Sequence, residues 1–134
     1  MNMNQGKYPL VMLIDDNELD IFINKKLVEG ENFGSRVVIH SSAQSALDYL
    51  KKNLASPDEI PNVIFLDIMM PGMDGFGFLD EFDKLDDAVK NKTRIIMLST
   101  SESFKDLNRA NQNRYVSKFL NKPLTAAVLK ALNV

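Results

Sequence analysis

Short, unbroken apolar runs alternate along the chain with longer stretches in which apolar residues return every three or four positions. The runs are Leu10-Val11-Met12-Leu13-Ile14, Arg36-Val37-Val38-Ile39-His40, Asn62-Val63-Ile64-Phe65-Leu66, Arg94-Ile95-Ile96-Met97-Leu98 and Tyr115-Val116-Ser117-Lys118-Phe119-Leu120. Continuous runs of this length suggest strands buried on both faces, as in a parallel sheet covered by helices. Between the first two, Asn17 to Glu29 carries Leu19, Phe22, Ile23 and Leu27 at helical spacing, with Ile21 and Val28 flanking that stripe, before Gly30 and Gly34 break the pattern. Ser41-Ser42 can cap a second helix bearing Ala43, Ala46, Leu47 and Leu50. Pro57 and Pro61 bracket a loop, and Pro71-Gly72-Met73-Asp74-Gly75 is dense turn chemistry. Phe76 to Leu85, with Phe78, Leu79 and Phe82 inside, predicts a third helix. Glu102 to Asn113 is polar and weakly periodic, and predicts a fourth. Thr125 can cap a last helix with Val128, Leu129 and Leu132.

Five strands alternating with helices predict a parallel sheet with helices on both faces and right-handed crossovers. No repeat, linker or low-complexity tract interrupts the alternation. The expectation is one domain over residues 1–134, its core about 8–132, with no output domain.

Composition narrows the class. A chain of 134 residues with 45% apolar and 25% charged residues has ordinary globular values, which argue against disorder. A net charge of -2 offers no electrostatic reason to bind nucleic acid. No apolar run approaches a membrane span, and Met1-Asn2-Met3-Asn4-Gln5-Gly6-Lys7 lacks the apolar core of a signal peptide. The absence of cysteine excludes disulfides, thiolate catalysis and zinc-thiolate sites. A soluble cytoplasmic protein is expected.

The chemistry gathers where the strands end. Asp15-Asp16 close the first strand, Asp67 the third, Ser99-Thr100-Ser101 the fourth, and Lys122 follows the fifth. In a parallel sheet the carboxyl ends of the strands form the ligand crevice. Carboxylates held together raise one another's pKa unless a cation gathers them, and Mg2+ prefers oxygen ligands. Carboxylates with Mg2+, a hydroxyl and an ammonium form a coherent set for phosphoryl transfer, which is mostly positioning and electrostatics. One carboxylate can be the nucleophile and form an aspartyl phosphate. Asp67, alone on the middle strand, is the best candidate, leaving Asp15 and Asp16 to hold metal.

Plainer roles suit other residues. An Asp ending a strand often only caps the next helix, and Asp74, just before a helix, is read that way. His40, the single histidine, has no nearby Ser/Asp partner pattern and is read as structural or exposed. Met70, Met73 and Met97 are read as packing.

The motifs Leu13-Ile14-Asp15-Asp16, Phe65-Leu66-Asp67-Ile68-Met69-Met70-Pro71-Gly72-Met73-Asp74-Gly75, Met97-Leu98-Ser99-Thr100-Ser101 and Asn121-Lys122-Pro123 come in order at strand ends. With them the chain resembles the receiver domains of bacterial two-component response regulators (the CheY-like superfamily), from about Tyr8 to Leu132. The resemblance implies a flavodoxin-like (βα)5 fold with strand order 2-1-3-4-5. It implies that Asp67 takes phosphate from a histidine kinase or histidine phosphotransfer protein, as a switch that assists its own phosphorylation and dephosphorylation rather than an enzyme. Asp16 and Asp67 would bind Mg2+ directly, joined by the backbone carbonyl of Met69, with Asp15 acting largely through water. Ser99 would be the switch hydroxyl, with Thr100 beside it as the alternative. Lys122 would pair with the phosphate, the Lys122-Pro123 bond would be cis, and Phe119 would be the rotamer switch.

Two departures matter. Asn111-Gln112-Asn113-Arg114 replaces the small Ala-Gly step usual before the fifth strand. Met69, two residues after the acceptor, cannot orient an attacking water, so slow self-dephosphorylation is expected. The rival reading, an aspartyl-phosphate hydrolase of haloacid-dehalogenase type, normally needs an Asp where Met69 stands. A third, an unphosphorylated interaction module, is opposed by the intact acidic, hydroxyl and lysine set. Ile21 and Phe22 either pack against the last helix or help dock the phosphodonor. The downstream partner is a protein left unnamed by the sequence, with a monomer or a phosphorylation-dependent dimer through the fourth helix both open.

Overall fold

The computed structural model describes residues 6–100 and 104–134, so Ser101 and Glu102, with most of the polar N-terminal stretch, lie outside the described residues. The strands are β1 (Tyr8–Ile14), β2 (Gly34–His40), β3 (Val63–Asp67), β4 (Arg94–Ser99) and β5 (Val116–Asn121). They form one parallel sheet in the order β2-β1-β3-β4-β5. The helices are α1 (Glu18–Gly30), α2 (Ala43–Lys52), α3 (Gly75–Phe82), α4 (Asp87–Lys90), α5 (Phe104–Gln112) and α6 (Ala126–Ala131). This is the flavodoxin-like fold, and its central strands β1, β3 and β4 are buried on both faces almost throughout.

Alternation splits the core in two, because successive strand residues point to opposite faces. Met12, Ile14, Ile64, Leu66, Ile95 and Met97 join Leu47 and Leu50 of α2, Phe78 and Phe82 of α3 and Ala110 of α5. Val11, Leu13, Val63, Phe65, Ile96 and Leu98 join Val28 of α1 and Leu129 of α6 on the other face. Edge strands β2 and β5 are only half buried, which matches their mixed sequences.

Local signals set the helix starts. Side chains of Asn17, Ser42, Asp74 and Thr125 each accept a hydrogen bond from a backbone N–H of the first turn, of α1, α2, α3 and α6 respectively. Asp74 is therefore the cap expected of it.

Two expectations are corrected. The third helix does not continue to Leu85: it ends at Phe82, and Asp86 caps the separate short α4 by accepting from the Ala88 N–H at 2.8 Å. Phe78, Phe82, Leu85 and Val89 are all buried at helical spacing, so the apolar pattern reads straight through the break. In α1 the stripe of Leu19, Phe22 and Ile23 does not pack on the sheet; these residues are 65%, 61% and 41% exposed. The helix is turned so that Asn24 and Val28 are buried instead, with Ile21 and Leu27 half buried. No helix of the described residues is long and apolar enough to cross a membrane.

Candidate functional site

Neighbouring parallel strands deliver the acids together. Ile14 of β1 is in register with Leu66 of β3, so Asp15 and Asp67 emerge side by side at the carboxyl edge. Asp15, Asp16 and Asp67 can each offer a carboxylate oxygen, all within 4.8 Å of one another. Asp15 and Asp67 are buried and Asp16 is exposed. Asp15 is held by its backbone N–H, which donates to the His40 carbonyl at 3.2 Å, and its Oδ1 accepts from the Asn17 N–H at 2.9 Å. That leaves Oδ2 turned to the crevice.

Lys122 enters from the end of β5. Its backbone N–H donates to the Ser99 carbonyl at 2.8 Å, and the Lys122-Pro123 bond is cis. Its Nζ donates to Asp15 Oδ2 and to Asp20 Oδ2, both at 2.9 Å, and lies 3.3 Å from Asp67 Oδ1. Asp20 was not among the residues expected from sequence. An acid in the first turn of a helix ordinarily reads as a partner of the helix dipole, and nothing local shows that it faces a lysine 102 positions away.

The loop after Asp67 is drawn tightly over the site. The Gly75 N–H donates to the Ile68 carbonyl at 2.9 Å. A Cβ on Gly75 would lie 2.8 Å from the Asp67 carbonyl oxygen, so only glycine allows this approach. Gly72 has φ +76°, a left-handed conformation that glycine adopts without strain. The Met69 side chain, in the same loop, is 68% exposed.

The remaining expected residues fall as follows. Ser99 ends β4 fully buried, while Thr100 is exposed. Phe119 pairs in register with Met97 and is half buried against the α2–α3–α5 side of the core. His40 is structural: its Nδ1 lies 3.0 Å from the Ser45 hydroxyl, its ring packs on Tyr49, and burial lowers its pKa.

Burial pushes the Asp67 carboxyl up to about 6, and the Asp15 charge pushes the same way against the pull of Lys122. For Lys122, burial opposes the charge, but hydrogen bonds to Asp15 and Asp20 outweigh it and raise its pKa above the ordinary lysine value. Both partners of one ion pair thus shift upward. One ammonium is shared by three carboxylates, so the lysine gains from all three while Asp67 receives a fraction of one cation. The crevice is short of positive charge, and its donors are hard oxygens; both features fit a dication such as Mg2+.

The sequence profile of the family described as Response regulator receiver domain matches residues 11–133. The chain belongs to the response regulator receiver domains. A two component response regulator from Cytophaga hutchinsonii superposes with a TM-score of 0.85 at 30% identity, covering 92% of each chain. The receiver domain of the histidine kinase CKI1 from Arabidopsis thaliana, complexed with Mg2+, gives 0.73 at 26% identity, over 91% of this chain and 90% of that one. The probable methanogenesis regulatory protein FilR2 of Methanothrix harundinacea (strain 6Ac) is 28% identical over 90% of this chain and 76% of its own length. Receiver domains are switch domains of phosphorelay signalling, served by histidine kinases and phosphotransfer proteins.

Proposed function

We propose that this receiver accepts a phosphoryl group on Asp67 from a histidine kinase or histidine phosphotransfer protein, in a Mg2+-dependent reaction. The observation carrying the proposal is the convergence of three carboxylates within 4.8 Å beside a lysine bonded to two of the site's acids. Asp15, Asp16 and Asp67, with the Met69 carbonyl, would hold Mg2+, which when bound neutralises phosphoryl oxygens. A carboxylate oxygen of Asp67 attacks phosphorus; the P–N bond of phosphohistidine breaks as the P–O bond forms, and the imidazole leaves with the electron pair. Lys122 donates to a phosphoryl oxygen.

Ser99, or Thr100 beside it, then draws toward the phosphate, and Phe119 turns inward. The burial of Ser99 at the strand end favours Ser99 for that role. The surface of α5, β5 and α6 changes its affinity for a downstream protein, a shift between two populated states. We place the protein in the cytoplasm as a phosphorylation-controlled switch, a monomer or a dimer formed through the α5 face on phosphorylation. The exposed Leu19, Phe22 and Ile23 of α1, beside the acidic crevice, favour docking of the phosphodonor there.

The test is labelling with acetyl phosphate and Mg2+. Asp67→Asn should abolish the label and Asp74→Asn should keep it; label retained in Asp67→Asn would refute the assignment. With apolar Met69 two residues after the acceptor, the labelled form should persist well beyond seconds.

A further inference from the structure

Lys122 has three ammonium protons, and three carboxylates surround them: Asp15 and Asp20 at 2.9 Å and Asp67 at 3.3 Å. Two of those acids belong to the metal cluster, but Asp20 does not. Asp20 sits in the first turn of α1, and its side chain is 36% exposed against 10% for Lys122 and 7% for Asp67. Its inward direction follows from the rotation of α1, which turns the line Asp20, Asn24, Val28 toward the sheet and leaves Leu19, Phe22 and Ile23 outside.

We propose that Asp20 is a positioning residue that retains the Lys122 ammonium on the α1 side of the crevice and so opposes its transfer to the phosphoryl group. The inference rests on phosphoryl acceptance at Asp67. Among the described residues, Lys122 is the cation paired with these three acids. With Mg2+ bound, Asp15 and Asp67 would share their charge with the metal, and phosphorylation would convert the Asp67 carboxylate into an acyl phosphate. Asp20 is then the one carboxylate of the three whose hold on Lys122 neither event weakens. The phosphoryl oxygens must win the ammonium from it. Asp20 therefore disfavours the activated state relative to the unphosphorylated one.

Asp20→Asn keeps the shape and the helical position while removing the charge. Fluoroberyllate, a stand-in for the phosphoryl group, is titrated into the full chain at saturating Mg2+ and followed by NMR. Asp20→Asn should bind it roughly two- to fivefold more tightly, the range of a partly exposed ion pair. Mg2+ affinity measured alone should fall slightly, because a nearby negative charge is lost. Opposite signs for the two ligands separate this role from simple structural damage, which would weaken both. In a Lys122→Met background the gain for fluoroberyllate should vanish, since Asp20 acts through that lysine. Unchanged or weaker fluoroberyllate binding in Asp20→Asn, or an equal gain without Lys122, overturns the inference. If the wild-type chain binds no fluoroberyllate, it is the acceptor assignment of Asp67 that falls.

Discussion

At the scale of single residues, Asp67 is governed by its burial and by Asp15, which together leave its carboxyl near pH 6 rather than at the ordinary 3.8. A metal ligand must be ionised, so Mg2+ bound as proposed would release the proton Asp67 still carries at that pH. The apparent Mg2+ affinity should hold steady above about pH 7 and fall roughly tenfold per pH unit well below 6, the slope of one linked proton. Calorimetric titration across that range checks it; a break near 4 would show that Asp67 is unperturbed. That Asp15, Asp16, Asp67 and Lys122 converge was readable in advance, because each ends a strand of a parallel sheet. The share of Lys122 taken by Asp20 was not, because an acid in a helix's first turn has a sufficient local explanation.

At the scale of elements, α1 is the instructive case. Its apolar residues run nearly all round the helix, so periodicity alone admits more than one buried face. The choice falls on Asn24 and Val28, with Val28 in the core shared with α6. The consequence is an exposed Leu19-Phe22-Ile23 surface beside the crevice. Phe22→Ser should slow phosphoryl transfer from a cognate phosphotransfer protein by roughly tenfold, the effect of losing one apolar anchor. Labelling by acetyl phosphate and the denaturation midpoint should stay within error of wild type. Equal losses with both donors would mean the substitution damages the site rather than the docking face. The break between α3 and α4 was hidden for a related reason: Leu85 and Val89 keep the helical spacing of Phe78 and Phe82, and only the Asp86 cap marks a new start.

At the scale of the whole molecule, the fold carries a site that opposes its own stability. The folded pKa of Asp67 lies above its unfolded value, so its contribution favours folding at low pH and is lost as pH rises through about 6. Mg2+ bound as proposed, to the ionised, folded site and not to the unfolded chain, would reverse that sign. Metal at a hundredfold above its Kd should add about 2.7 kcal/mol of stability. Thermal melts should show a larger Mg2+-induced rise in Tm at about pH 7.5 than at about pH 5, abolished by chelator and in Asp67→Asn. A rise independent of pH would mean that the metal binds elsewhere.

Strand runs, turn glycines and helix caps are short-range signals, set by backbone alternation, by φ and by side chains reaching two or three residues along. From them the amino-acid sequence alone determined a parallel sheet of five strands and the edge where acids, hydroxyls and lysine meet, while the strand order followed only from the family resemblance. Which face of α1 turns inward, and which acids hold Lys122 across 102 and 107 positions of chain, depended on how helix and strand ends pack in three dimensions. Those contacts form only when the sheet is assembled, so no local pattern could carry them.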